Sequence, residues 1–134
     1  MNIRGHEIFE ADKLFFAIHV GINHWALIVV YMQLNTIAWY DSAKMDGTRY
    51  IEFVKKYLYY HAAYHYNIKL SFANWHIKKN ENQRQTNDYD CGVFTLMHAD
   101  FISDGLHASY VTQQNMDIFR LRIAQVLEKG RLAY

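Results

Sequence analysis

Proline is absent from this chain of 134 residues, cysteine occurs once and glycine only six times. No Ser/Gly-rich stretch and no internal repeat interrupts it, so nothing marks a linker and 1–134 reads as a single domain. One cysteine excludes an intramolecular disulfide framework and fits a reducing compartment, where a free thiolate survives. Charge of either sign is not in excess. A net charge of +1 gives no electrostatic reason to bind nucleic acid or an anionic membrane, and the basic pairs Lys55-Lys56 and Lys78-Lys79 read as solvated faces. Long apolar runs are missing too. The longest, Trp25 to Met32, is too short to cross a bilayer, and Arg4, Glu7, Glu10, Asp12 and Lys13 leave no room for the apolar core of a signal peptide. These absences describe a soluble intracellular protein, of nucleus or cytoplasm. With 51% hydrophobic and 16% aromatic residues, the chain has enough apolar surface for one core and not for a second domain.

The single cysteine stands where a polar loop becomes a helix. Gln85-Thr86-Asn87-Asp88-Tyr89-Asp90-Cys91-Gly92 runs directly into the apolar stretch Val93-Phe94-Thr95-Leu96-Met97. Free N–H groups and the positive end of the helix dipole favour thiolate over thiol at such a place, and the same N–H groups can receive an oxyanion. Asp90 is expected to cap the helix, its carboxylate accepting from the free N–H groups and so pointing away from the sulfur.

A base and an orienting carboxylate have a geometric reason to converge elsewhere. His24 opens the run Trp25-Ala26-Leu27-Ile28-Val29-Val30-Tyr31 and Asp41 closes the run Thr36-Ile37-Ala38-Trp39-Tyr40; both are rich in β-branched and aromatic residues and are expected to pair as a hairpin. With the turn centred on Gln33-Leu34, residue 41 lies opposite residue 26, which shares a sheet face with residue 24. Such diagonal neighbours are about 7–8 Å apart, within reach of a His–Asp hydrogen bond. That bond gives the base a fixed tautomer.

Around these runs the pattern predicts strands at Leu14–His19 and Ile68–Ile77 and a helix from Thr48 to about Tyr64, with Ile51, Val54, Tyr57 and Leu58 on its apolar face. The helix beginning near Cys91 is expected to bury Val93, Phe94, Leu96, Met97 and Phe101. A last helix, from Thr112–Asn115 to Gly130, is expected to present Met116, Phe119, Ile123, Val126 and Leu127 on one side. Residues 80–88 form the one long polar segment, a loop placed to deliver Gln85. The fold class is therefore α+β, a small and mostly antiparallel mixed sheet flanked by helices.

Each residue has a blander reading. A lone cysteine among apolar neighbours is ordinarily an inert core thiol, His24 a structural imidazole, Asp41 a turn residue and Gln85 loop surface. His61 and His65 stand at i and i+4, a zinc spacing, yet no third ligand accompanies them, and no metal or other cofactor is expected. The tyrosine cluster Tyr57, Tyr59, Tyr60, Tyr64 and Tyr66 lacks the basic stripe that would make it a base-stacking surface.

Taken together, His24-Trp25, then Tyr40-Asp41-Ser42, then Gln85-x-Asn87-x-x-Asp90-Cys91-Gly92 resembles the Ulp1/SENP family of cysteine proteases that process ubiquitin-like proteins, over residues 14–127. The resemblance implies a papain-like or adenain-like core, with Cys91 as nucleophile, His24 as general base, Asp41 as its orienter and Gln85 as a side-chain donor to the oxyanion. It implies Trp25 and Gly92 as substrate-binding residues, Trp25 lining a narrow tunnel over a Gly-Gly tail. The partner implied is a ubiquitin-like protein of SUMO or NEDD8 type with its conjugates, acted on by a monomer. Three departures stand out. Only 23 residues precede His24, so the sequence is expected to lack the N-terminal part of the family domain; Asp88 replaces a glycine common in relatives; and no proline precedes the histidine segment near Ala17-Ile18-His19. Three further readings stay open: a binding module without turnover, a polyprotein protease, and an acetyltransferase using acetyl-coenzyme A, for which no phosphate-cradling glycine loop is present.

Overall fold

A computed structural model of the chain describes residues 8–130. Arg4 and Glu7, read above as breaking a signal peptide, lie outside the described residues.

The runs rich in β-branched and aromatic residues pair as a hairpin. β1 (Lys13–Val20), β2 (His24–Tyr31), β3 (Thr36–Tyr40) and β4 (His76–Lys79) form one sheet in the order β1-β2-β3-β4, with β3 and β4 parallel and the other pairs antiparallel. Leu27 faces Tyr40 and Tyr31 faces Thr36, which centres the second hairpin on Gln33-Leu34. A short 3-10 turn, Met32–Leu34, closes it, and Asn35 takes the left-handed conformation (φ 47°) that Asn tolerates better than most residues. The fourth strand is shorter than its sequence suggests. Residues 68–75 are not strand, although Leu70, Phe72 and Trp75 pack on the core. Aromatic content there reports burial; ladder pairing needs a partner edge, and the parallel register on five-residue β3 engages only 76–79.

Helices cover both faces of the sheet. α1 (Thr48–Tyr66) buries Ile51, Val54, Leu58 and Ala62 against Ala26, Ile28, Val30, Ile37 and Trp39. Tyr57, expected on that face, is half-exposed at its rim. α1 runs two residues beyond the expected end because Asn67 supplies the left-handed C-cap (φ 54°). On the opposite face Leu27, Val29, Ala38 and Tyr40 pack with Ile102 of α2 (Cys91–Ser103). α3 (Met116–Lys129) lies on α2 through Met116 and Phe119, and ends at Gly130 with φ 70°. Leu96 and Leu127, expected in the core, are exposed. α2 is apolar nearly all round, so composition did not reveal which side faces the sheet, and Leu96 lies about 200° round the helix from fully buried Phe94.

The direction of α2 positions the site. Lys13 Nζ, at the start of β1, donates to Ile102 O at 3.1 Å, which holds the C-terminal end of α2 at the Lys13/Tyr31 end of the sheet. The helix spans 13 residues, about 20 Å, and its N-terminus is carried toward the other end, where β2 begins and β3 stops.

Two core residues yield predictions. Fully buried Trp39 donates from Nε1 to Met45 O at 3.0 Å and stacks on Tyr50 with ring centres 5.7 Å apart. A Cβ on Gly47 would sit 2.1 Å from Trp39 Cδ2. Gly47→Ala is therefore expected to lower the urea midpoint by the equivalent of about 1–3 kcal/mol, the usual cost of overpacking; an unchanged midpoint would contradict this contact. His98 is 1% exposed, and neither ring nitrogen has a hydrogen-bond partner among the described residues. Burial, with a smaller push from Lys44, lowers its pKa from 6.5 to about 3. The unfolded chain takes up a proton below 6.5 that the native state refuses, so stability falls as pH drops from 6.5 toward 3, with a slope approaching about 1.4 kcal/mol per pH unit. Denaturation series on His98→Met are expected to show a shallower dependence across that window.

Candidate active site

At the end of the hairpin the imidazole and carboxylate meet. His24 Nε2 lies 2.6 Å from Asp41 Oδ1, and the Asp41 side chain has no exposed surface. A carboxylate accepts, so Nε2 carries the proton and Nδ1 keeps a lone pair. Asp41 is itself held by the turn that follows it. Oδ1 also accepts from Ala43 N at 2.8 Å and Oδ2 from Met45 N at 3.2 Å, while Asp41 O accepts from Lys44 N at 3.0 Å and Asn82 Nδ2 at 3.0 Å. Lys44 takes a left-handed φ of 59° to close the turn.

The polar segment before Cys91 is pinned to this turn. Lys44 Nζ donates to the carbonyls of Asn80, at 2.7 Å, and Asn82. Gln85 N donates to Ser42 O at 2.8 Å, Ser42 Oγ donates to Gln85 Oε1, and Gln85 Nε2 donates to Asn87 O. Residue 85 is thereby fixed beside the Asp41 turn, with its amide turned onto its own loop. Asp88 is not among the described residues with positive φ, so the glycine of relatives is not needed there for backbone freedom.

Cys91 is the first residue of α2, 6% exposed, and its thiol makes no hydrogen bond among the described residues. Asp90 does not cap the helix as expected. It occupies the N-cap position without a side-chain cap bond, because donors from three other places compete for its oxygens: Asn87, Gln113 and Arg120. Burial alone would raise the Asp90 carboxyl, but these bonds outweigh it and hold it below its ordinary value. The N–H groups of the first turn are left without a side-chain acceptor.

An open depression of about 730 Å³ runs beside the pair, lined by His24, Gln85, Asn87 and Asp88 with Ile22 and Met45 on its apolar side. Trp25 lies outside that lining; it is 42% exposed and rests on His19, ring centres 4.9 Å apart. A Cβ on Gly92 would touch nothing within 4 Å, so open space lies over the first turn of α2. His61 and His65 pack with ring centres 4.4 Å apart and planes tilted by 41°, and no group of three metal-ligating side chains occurs among the described residues. No described helix is long and apolar enough to cross a membrane. Sequence reading gave no part to Asn82, Gln113 or Arg120. Only Asn87 carried a signal, as a fixed position in the segment before Cys91.

Comparison with known proteins adds a lineage. The profile described as Ulp1 protease family, C-terminal catalytic domain, matches residues 1–133. Sentrin-specific protease 2 of Pongo abelii is 31% identical over 123 residues, 90% of this chain and 20% of that protein. The ubiquitin-like-specific protease ESD4 of Arabidopsis thaliana is 31% identical over 128 residues, 95% of this chain and 26% of the relative. The chain thus spans about a fifth to a quarter of these relatives. Among solved structures, the Chaetomium thermophilum Ulp1-like SUMO protease catalytic domain superposes with a TM-score of 0.78 at 28% identity, over 99% of this chain and 52% of that one. A SUMO protease Ulp1 with its catalytic cysteine oxidised to a sulfonic acid gives 0.80 at 20% identity, over 92% and 56%, a likeness of fold.

The buried carboxylate supplies a test of the geometry. Asp41→Asn puts an amide nitrogen where one oxygen now accepts, leaving a buried donor facing a donor. It is expected to cost about 1–3 kcal/mol in chemical denaturation. A loss below a few tenths would mean that this turn does not depend on the carboxylate.

Proposed function

The chain belongs to the Ulp1 protease family, and from that premise we propose that it is a cysteine peptidase cleaving the bond after the C-terminal Gly-Gly of a SUMO-type ubiquitin-like protein, with Cys91, His24 and Asp41 as its triad. The observation that carries this reading is the 2.6 Å His24–Asp41 bond at the end of the sheet toward which α2 directs Cys91. SUMO is favoured over NEDD8 by the names of the relatives, sentrin-specific and SUMO proteases.

The lone pair on His24 Nδ1 takes the Cys91 proton, and Asp41 stabilises the imidazolium through Nε2–H. The thiolate adds to the carbonyl carbon of the terminal glycine. Negative charge then collects on the carbonyl oxygen, where the first-turn N–H of Cys91 and the Gln85 amide stabilise it, each worth about 2.7–4 kcal/mol in comparable acyl transfer. For this, Gln85 Nε2 turns from Asn87 O toward the substrate. His24 protonates the leaving lysine or peptide nitrogen, the C–N bond breaks, and a thioester remains. Water, deprotonated by His24, hydrolyses it and returns the thiol. Exposed Trp25 forms one wall of the approach, and a slot too narrow for a Cβ selects glycine.

SUMO, NEDD8 and ubiquitin probes with an electrophilic C-terminus test the reading. SUMO probe is expected to label the chain and to fail with Cys91→Ser. Labelling that persists in Cys91→Ser removes Cys91 as nucleophile; binding without labelling of the folded chain replaces the peptidase by a binding module; labelling by NEDD8 or ubiquitin alone corrects the substrate. Gln85→Ala is expected to lower kcat by ~10²–10³-fold with a smaller effect on KM, as loss of one oxyanion donor does. Equal kcat in the variant would remove Gln85 from the mechanism.

A further inference from the structure

The residue before a helix is where an aspartate ordinarily turns onto the free N–H groups of the first turn and stabilises the helix. Asp90 gives that up. It is 3% exposed, and both oxygens are engaged away from the helix. Oδ1 accepts from Arg120 Nε at 3.1 Å and Nη2 at 2.5 Å, and Oδ2 accepts from Gln113 Nε2 and Asn87 Nδ2, each at 2.7 Å. Arg120 belongs to α3 and Gln113 to the 3-10 turn that leads into it. The same Gln113 accepts through Oε1 from Thr86 N at 2.8 Å. One side chain therefore fastens both the neighbour of Gln85 and the neighbour of Cys91.

We infer that Gln113 and Arg120 are positioning residues for the Cys91 nucleophile: they hold the Asp90 carboxylate off the first turn of α2 and compensate its charge, so that the N–H groups stay open to an oxyanion and the thiolate forms beside a neutralised neighbour. Two consequences of losing Arg120 follow from this geometry. The carboxylate is freed to rotate onto the N–H groups that would receive the oxyanion. Its negative charge, no longer paired, opposes a second negative charge one residue away. The other charged or titratable groups around this turn are His24 and Asp41 at the strand ends, Lys44 and Arg84 in the flanking loops, Asp88 and Tyr89 just before it, and His98 two turns along α2. Of these, Tyr89 also touches Arg120, whose Nη2 donates to its carbonyl at 3.4 Å and whose guanidinium lies over its ring at 6.0 Å, so an Arg120 variant removes that contact together with the ion pair.

This inference rests on reading Cys91 as the nucleophile, and the readout needs no protein substrate. The rate of alkylation of Cys91 by iodoacetamide is measured against pH for wild type, Arg120→Gln, Arg120→Lys and the double variant Arg120→Gln/Asp90→Asn, with far-UV circular dichroism confirming the fold of each. Arg120→Gln is expected to move the midpoint up by about one pH unit, about tenfold in thiolate at neutral pH. Lysine keeps the cation and is expected to restore most of the difference; removing the Asp90 charge in the double variant is expected to restore the midpoint although both bonds from Arg120 to residue 90 are lost. Where Arg120→Gln does not fold, Gln113→Ala takes its place, with a smaller shift in the same direction. A variant profile superimposed on wild type overturns the positioning role. So does a shift that persists in the double variant, since a purely structural effect would not follow the charge. A wild-type Cys91 that titrates like an ordinary free thiol removes the nucleophile itself, an outcome distinct from either.

Discussion

A carboxylate with no exposed surface survives in a fold only when donors meet its lone pairs, and Asp41 is met from three directions. Two backbone N–H groups of the turn after β3 reach its oxygens, and the His24 imidazole takes the remaining direction at 2.6 Å. Those bonds give the turn its shape, and the turn gives the long loop its anchors, through Lys44, Asn82 and Ser42. The loop in turn delivers Gln85 and ends at Cys91. One buried charge organises three chain segments that are otherwise separated by dozens of residues.

The sheet decides where that charge sits. α1 and α2 cover opposite faces, so β2 and β3 are buried on both sides and read as continuous apolar runs. Polar side chains are confined to the strand ends, and His24 and Asp41 stand at the same end. α2 lies over the face of Leu27 and Val29 with its C-terminus held by Lys13. The free N–H groups of its first turn are thus carried toward the histidine. His98, on the same helix, shows the cost of a buried position on this face: an imidazole with no hydrogen-bond partner among the described residues that is neutral through most of the acid range.

A stability device and a site device conflict at Asp90. As an N-cap it would stabilise α2, but under the role proposed for Cys91 it would also occupy donors meant for an oxyanion. The structure resolves the conflict by recruiting Gln113 and Arg120 from the region that packs on the far side of α2. Ordering of α3 and geometry of the site are coupled through that contact. Helix α3 therefore helps to fix the chain just before Cys91 as well as covering the core.

Much of this arrangement was legible in the residues alone. Runs rich in β-branched and aromatic residues specified β2 and β3, and a turn centred on Gln33-Leu34 set their register, placing residue 41 opposite residue 26, from which the His24–Asp41 contact follows. The shift from polar loop to apolar run specified a helix starting at Cys91. The interactions that escaped share a cause. Asp90 looked like a cap because caps are a local rule, and two of its three competitors lie 23 and 30 residues away, brought near only by the packing of α3 on α2. Leu96 and the stretch 68–75 were misread because apolar composition reports that a segment is hydrophobic, without saying which side is covered or which edge it pairs with. Local sequence therefore determined the elements, the strand register and the chemistry available at each position. Tertiary packing alone decided which donors reach a buried carboxylate and from which end a helix meets the sheet, because those outcomes depend on distances between segments that no local preference encodes.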